Sequence, residues 1–383
     1  MINVLQPSLG DAELDALREV FASNWLGHGP RTERFEAEFA AHLGADPEQL
    51  IFINSATAGL FLSMELLDLG PGDDIVLPSV SFVAAGNAIR ASGARPVFCD
   101  VDPSTLNPTA ADVERALTPA TRAVLILHYG GYPGAVREIA QLCAERGIAL
   151  VEDAACAVAS SADGTACGTF GDLAVWSFDS MKLLVTGDGG MLYVRDREQA
   201  RRARALAYHG LEHASGFVAA RVSHRWWEVN VQEVGRRVVG NDLTAALGSV
   251  QLSRLPEFLA RRRAIVALYD RLLADVPQLT PPPPLPDGHV TSHYFYWVRM
   301  DPAIRDLVAA DLLAGGIYTT FRYPPLHRVP AFGTDLPDLP GTDQATESVL
   351  LLPLHHGLDD HDVHRVVTAV RKSVEARSAA TSA

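Results

Sequence analysis

Lys182 is one of only two lysines in a chain that carries thirty arginines, and it sits among Met181, Leu183, Leu184 and Val185 just past the apolar run Ala174-Val175-Trp176-Ser177-Phe178. Desolvation in such surroundings disfavours the charged ammonium and leaves the neutral amine able to attack a carbonyl. Arginine cannot form a Schiff base. Two other apolar runs also end in polar groups. Ile51-Phe52-Ile53 leads into Asn54-Ser55-Ala56-Thr57 and then a helical stretch, offering backbone N–H groups and two hydroxyls to an anion such as a phosphate. The same Ser55 and Thr57 would serve equally as ordinary helix caps. Ile148-Ala149-Leu150-Val151 leads into Glu152 and Asp153, carboxylates that would also suit a solvated loop. Phe82, early in the helix after Val76-Leu77-Pro78, is placed either to stack on a flat ring or to pack in the core. Anion cradle, carboxylate and desolvated lysine are the anchor, pyridinium partner and imine-forming amine that pyridoxal phosphate requires.

The elements that must position these groups follow from periodicity. Leu50 to Ile53, Asp74 to Leu77, Pro96 to Cys99, Ala123 to Leu127, Ile148 to Val151 and Leu173 to Ser177 read as strands. Ala58 to Leu67, Phe82 to Ala91, Ala110 to Leu117 and Ala135 to Arg146 read as helices between them. This alternation predicts an α/β fold with a mostly parallel sheet, in which ligands collect at the carboxyl ends of the strands. No Gly-x-Gly-x-x-Gly follows a strand, which removes the best support for a dinucleotide site. Residues 197–270 read as mostly helical or irregular, Pro281 to Pro284 punctuate the chain, and His293 to Met300 reads as a strand. A boundary near 250 divides the chain into a large domain, 1–250, and a smaller C-terminal α+β domain, 251–383. The small, polar tail from Ser373 is expected to fray.

The chain has 383 residues, 46 acids against 32 basic residues and a net charge of -14, which argues against general affinity for nucleic acid or an anionic membrane surface. No long apolar span and no basic, apolar leader is visible, so a cytoplasmic protein is expected. Cys99, Cys143, Cys156 and Cys167 lack metal-ligand spacing, so free thiols and no metal centre are expected.

These residues resemble the DegT/DnrJ/StrS family of pyridoxal phosphate-dependent sugar aminotransferases, of fold type I. The resemblance runs through Trp25-Leu26-Gly27-His28-Gly29-Pro30, Asn54 to Leu60, Pro71-Gly72-Asp73, Pro96 to Asp102, Glu152-Asp153-Ala154-Ala155 and Ser177-Phe178-x-x-x-Lys182. It continues through Thr186 to Gly190 and Ala245 to Gly248, then Tyr323-Pro324-Pro325-Leu326-His327 and Leu352-Pro353-Leu354-His355. It implies that Lys182 forms the imine with the cofactor and then carries the proton between the substrate carbon and the cofactor. It implies that Asp153 pairs with the pyridine nitrogen and that Ser55, Ala56, Thr57 and Ser177 hold the phosphate. Phe82 stacks on the ring in this reading. Trp25, Gly27, Arg322, Tyr323 and His327 fall on the substrate side, and Arg221 to Trp227 would add a basic clamp for a diphosphate.

Several positions depart from the family pattern. Cys156 stands where His or Gln usually contacts the cofactor's phenolic oxygen, Asp179 stands where His or Tyr follows the Ser-Phe pair, and Leu183 replaces Asn. Arg237, with Arg236 as the close alternative, aligns with an asparagine that reaches the partner subunit's phosphate. The function implied is amino transfer, from L-glutamate, to a keto group of a nucleotide-linked deoxysugar, with C4 favoured over C3, by a homodimer with shared active sites. A non-catalytic regulator binding the cofactor or a sugar nucleotide, a dehydratase and a nicotinamide oxidoreductase are the rivals. Retention of Lys182 where the dehydratase branch has histidine disfavours the second.

Overall fold

The computed structural model describes residues 1–211, 225, 230–333 and 337–381. Its centre is a seven-stranded sheet built from β1 (Leu50–Ile53), β2 (Asp74–Pro78), β3 (Arg95–Cys99), β4 (Thr121–Leu127), β5 (Ala149–Asp153), β8 (Leu173–Ser177) and β9 (Gly190–Val194). The order is β1-β9-β8-β5-β4-β2-β3. Every pair from β8 to β3 is parallel, whereas β9 runs antiparallel to both neighbours, Leu50 facing Tyr193 and Ser177 facing Gly190. Being flanked by β9, strands β1 and β8 point the same way, so the carboxyl ends of β1, β5 and β8 share one rim.

Alternation within these buried strands sorts residues between two cores. Ile51, Ile53, Val151, Leu173 and Val175 face α3 (Ala56–Leu66), α4 (Val83–Ser92) and α7 (Arg197–Ala207). Phe52, Ala174, Trp176 and Met191 face an aromatic cluster with Phe35 and Phe39 of α2 (Pro30–Leu43), and α1 (Asp11–Ser23) lies outside it. Phe39 meets Trp176 edge-on with ring centroids 5.4 Å apart. The helices α5 (Ala110–Ala116) and α6 (Val136–Arg146) cover the far end. A short ribbon joins β6 (Ser161–Ala162), β7 (Thr165–Ala166) and β10 (His289–Val290).

The long helix α8 (Asp242–Leu273) carries the chain past residue 250 without interruption. Its first half lies along α1 and α2, and Ile265, Leu268, Tyr269 and Leu273 of its second half enter a C-terminal core. That core also holds the antiparallel pair β11 (Tyr296–Arg299) and β12 (Val349–Leu352), with α9 (Pro302–Ala314), α10 (Pro340–Ser348) and α11 (Asp360–Thr381) around it. The tail departs from expectation. Instead of fraying it continues α11, because Val374 is buried and Ser373 and Arg377 both bond the Asp311 carboxylate of α9. The expected strand from His293 begins three residues later, at Tyr296. Among the described residues, no helix is long and apolar enough to cross a membrane, and all four cysteines are buried and free of disulfides.

Candidate active site

Helix α3 starts directly after β1. The Ser55 hydroxyl accepts the Ala58 N–H at 3.1 Å, so Ser55 is the cap of the helix, and the first-turn N–H groups of Ala56 and Thr57 open toward the rim. Two glycines permit this approach. A Cβ on Gly59 would lie 2.7 Å from both Ile53 Cδ1 and Val175 Cγ1, so glycine lets α3 settle on the sheet. A Cβ on Gly190 would lie 2.5 Å from the Ala56 nitrogen, so β9 can pass beneath the helix start only as glycine.

At the end of β5 the neighbouring carboxylates part company, because adjacent strand residues point to opposite faces. Glu152 is fully buried on the far side and accepts four donors: His128 Nε2 at 2.8 Å and the N–H groups of Gly168, Phe170 and Gly171 at 2.6–2.7 Å. It pins the segment leading into β8. Asp153 faces the rim alone, with one oxygen accepting the Ala155 N–H at 3.0 Å. Burial raises its pKa, partly offset by that N–H and by the charges of Lys182 and His128.

Beyond β8 the chain makes a tight turn in which the Asp179 carboxylate accepts the Met181 N–H at 3.0 Å and the Asp179 carbonyl accepts the Lys182 N–H at 2.9 Å. Asp179, a departure from the family pattern, thus serves to shape the turn that presents Lys182. The lysine Nζ lies 4.9 Å from the ring centroid of Tyr294. Its electrostatics reverse the sequence-based expectation of a neutral amine. Burial does oppose the charge, but Tyr294, Cys156 and Asp153 outweigh it and hold the Lys182 pKa above the ordinary lysine value.

These elements enclose a cavity of about 200 Å³ lined by Ser55, Ala56, Thr57, Phe82, Asp153, Ser177, Lys182, Arg322 and Tyr323 among the residues expected from sequence. Phe82 and Tyr323 form one wall, centroids 5.3 Å apart, and Phe82 remains 46% exposed on its open side. Cys156 is buried directly behind, in contact with Tyr323, and burial pushes its thiol up to about 11.

Four expected residues lie elsewhere in the chain. His327 is buried with its Nδ1 2.6 Å from the Ser79 hydroxyl, fixing the 323–328 loop to the end of β2. Trp25 donates to the His28 carbonyl at 3.0 Å, and the Gly27 carbonyl accepts the Asp242 N–H at 2.9 Å, so both organise the start of α2 and α8. Arg237 lies over the Tyr208 ring, while Arg236 pairs with Glu65. The clamp expected at Arg221 to Trp227 falls outside the described residues apart from Arg225. Sequence reasoning missed Tyr294, Met181 and Asp188, which also line the cavity. For Tyr294 the only signal was its place in the Tyr294-Phe295-Tyr296-Trp297 run, which reads as core.

The donor set fits pyridoxal phosphate: helix N–H groups and the Thr57 and Ser177 hydroxyls for a phosphate, a buried carboxylate for a cationic ring, an amine for the aldehyde and an aromatic face for the ring. Comparison with known proteins agrees. The sequence model of the DegT/DnrJ/EryC1/StrS aminotransferase family matches residues 7–371. The chain is 65% identical over 375 residues, 98% of its length and 97% of the other's, to a dTDP-4-dehydro-2,3,6-trideoxy-D-glucose 4-aminotransferase of Saccharopolyspora spinosa. Among solved structures, the aminotransferase TlmJ of Streptoalloteichus hindustanus superposes with a TM-score of 0.94 at 60% identity, covering 98% of this chain and 99% of that one. A putative sugar aminotransferase of Streptococcus pneumoniae superposes in its PLP-form with a TM-score of 0.89 at 25% identity, covering 98% of each chain.

Proposed function

The chain belongs to the DegT/DnrJ/EryC1/StrS aminotransferase family, and we propose that it transfers an amino group from L-glutamate to C4 of a thymidine diphosphate-linked 4-keto-2,3,6-trideoxyhexose. It is a pyridoxal phosphate-dependent sugar-nucleotide aminotransferase. The 65% identity over nearly the whole of both chains supports the deoxygenated 4-keto sugar. The observation that carries the reading is the meeting of Lys182 and Asp153 in one cavity with the N-terminus of α3.

When bound, pyridoxal phosphate supplies an aldehyde with which amines condense and a ring that accepts the electron pair left at a deprotonated carbon. Lys182 is the residue that would hold that aldehyde and, once released, move the proton at the carbon bearing the amine. The turn set by Asp179 aims it into the cavity. Asp153 would keep a positive charge on the ring, and its burial strengthens that attraction. Ala56, Thr57 and Ser177 would take the phosphate, with the α3 dipole adding to their N–H and hydroxyl groups. Phe82 would cover one ring face. Arg322 and Tyr323 also line the cavity, where they would meet a diphosphate-linked sugar.

A homodimer suits this site, because the half-exposed Phe82 is a cavity wall that a second subunit would cover. Arg237, whose guanidinium rests on Tyr208 and is in no ion pair with an acid among the described residues, is the group we assign to the partner's phosphate. Purified protein should be yellow with bound pyridoxal phosphate, lose the visible band on borohydride reduction and lack it in Lys182→Ala. Glutamate should bleach the band and a 4-keto sugar nucleotide should restore it. A chain that takes up no pyridoxal phosphate would overturn the reading. One that binds it but leaves the band unchanged with glutamate would favour a regulator.

A further inference from the structure

Tyr294 is buried, 1% exposed, and held at several points. Its N–H donates to the Gly130 carbonyl at 3.0 Å, and its own carbonyl accepts Nη1 of the buried Arg262 at 3.2 Å. Its hydroxyl donates to the Met181 carbonyl at 3.3 Å, the peptide immediately before Lys182. The C-terminal part of the chain therefore hooks onto the turn that carries the lysine and lays an aromatic face against it. The Lys182 Nζ lies 4.9 Å from that ring's centroid.

An amine that alternates between covalent attachment and freedom needs a resting place in the unattached state. In water the solvent supplies it; in a half-buried cavity a fixed group can take its place. A desolvated aromatic face attracts an ammonium more strongly than an exposed one, and the buried Tyr294 ring has the lysine Nζ over it. We infer that Tyr294 is a positioning residue for Lys182: its ring face receives the ε-ammonium whenever the amine is not attached to cofactor, and its hydroxyl keeps the Met181–Lys182 turn seated beneath it. The inference rests on the pyridoxal phosphate reading of the cavity.

The scarcity of lysine makes this measurable. Full-length protein grown with lysine carrying 13C at Cε gives two side-chain signals, and Lys372, exposed on α11, is the internal reference. In the cofactor-free protein Lys182 should titrate above Lys372. Tyr294→Leu should lower the Lys182 midpoint by about 0.4 to 1.5 pH units and leave Lys372 unmoved. Tyr294→Phe keeps the face and loses the hydroxyl, so most of the elevation should persist. An unchanged Lys182 midpoint in folded Tyr294→Leu, or in Tyr294→Met should the leucine variant not fold, overturns the inference. So does a Tyr294→Phe midpoint that falls as far as that of Tyr294→Leu. Adding pyridoxal phosphate should shift the Lys182 signal alone; if it does not, the cofactor reading fails, while the titrations still decide the role of Tyr294.

Discussion

Glu152 and Asp153 are adjacent carboxylates with opposite assignments, and substituting each separately should give opposite phenotypes. In Glu152→Gln one carboxylate oxygen becomes an NH2 group. One oxygen accepts from Phe170 and Gly171, the other from His128 and Gly168. Turned toward Phe170 and Gly171 the NH2 group meets two N–H donors; turned the other way it can donate to His128 Nε2 with the imidazole proton on Nδ1, leaving the Gly168 N–H facing a donor. At about 1.5–3 kcal/mol for that charge-assisted hydrogen bond, the loss is at least roughly 1.5–3 kcal/mol, a large share of a typical folding stability of about 5–15 kcal/mol. Asp153→Asn keeps an acceptor for the Ala155 N–H and removes a buried charge whose pKa burial has raised. Its stability should be unchanged or higher, while pyridoxal phosphate binding should weaken by roughly 3 kcal/mol or more for want of a partner to the ring. Chemical denaturation of the cofactor-free variants and equilibrium titration with pyridoxal phosphate read the two quantities separately. A Glu152→Gln loss below about 1 kcal/mol, or an Asp153→Asn variant that binds the cofactor as tightly as the parent chain, would refute the division of labour.

Two further outcomes follow from the packing. His293, His355 and His356 are held low, at about 4, 4 and 3, by burial and by nearby arginines, Arg262 foremost for His355 and His356 and Arg263 for His293. Their folded values lie below the unfolded value, so the stability they allow is complete above about pH 6.5 and is lost as pH falls toward 4. Halving the ideal slope for solvent screening, the three together should cost roughly 3 kcal/mol between pH 6.5 and 5. His356 stacks on Phe258 at 4.1 Å with no hydrogen bond to either ring nitrogen among the described residues, so His356→Phe should keep the stack and remove about a third of that acid loss; denaturation midpoints at the two pH values check this, and equal losses in both proteins would contradict it. Gly190→Ala would drive a Cβ to 2.5 Å from the Ala56 nitrogen, displacing the start of α3. Pyridoxal phosphate affinity, measured by fluorescence titration, should drop roughly 5- to 150-fold.

Much of the rim is readable before the fold is known, because polar groups placed after apolar runs must end at the carboxyl ends of strands. β1 and β8 fall at the residues expected, since each is a short apolar run with an abrupt polar end. Helix starts shift by a residue or two, as with α3 at Ala56, because capping and not hydrophobicity sets them. The antiparallel β9 is not visible in composition; it reads only as the glycine-rich run before it. Glu152 and Asp153 look equivalent as letters, and the strand's pleat separates them. Tyr294, whose ring lies against the Lys182 Nζ, is 112 positions further along the chain and joins the site through contacts that no local pattern encodes. His327 belongs to a recognisable segment, yet its ring turns to Ser79, a choice made by packing.

The central claim is that this cavity moves nitrogen onto C4 of a nucleotide-linked keto sugar. Incubation with 15N-glutamate, pyridoxal phosphate and a thymidine diphosphate-linked 4-keto-2,3,6-trideoxyhexose, followed by 1H–15N and 13C NMR of the product, tests it directly. The account predicts 15N bonded to C4 in the wild-type reaction and none in Lys182→Ala. Nitrogen at C3, or glutamate consumption without labelled sugar, would contradict it.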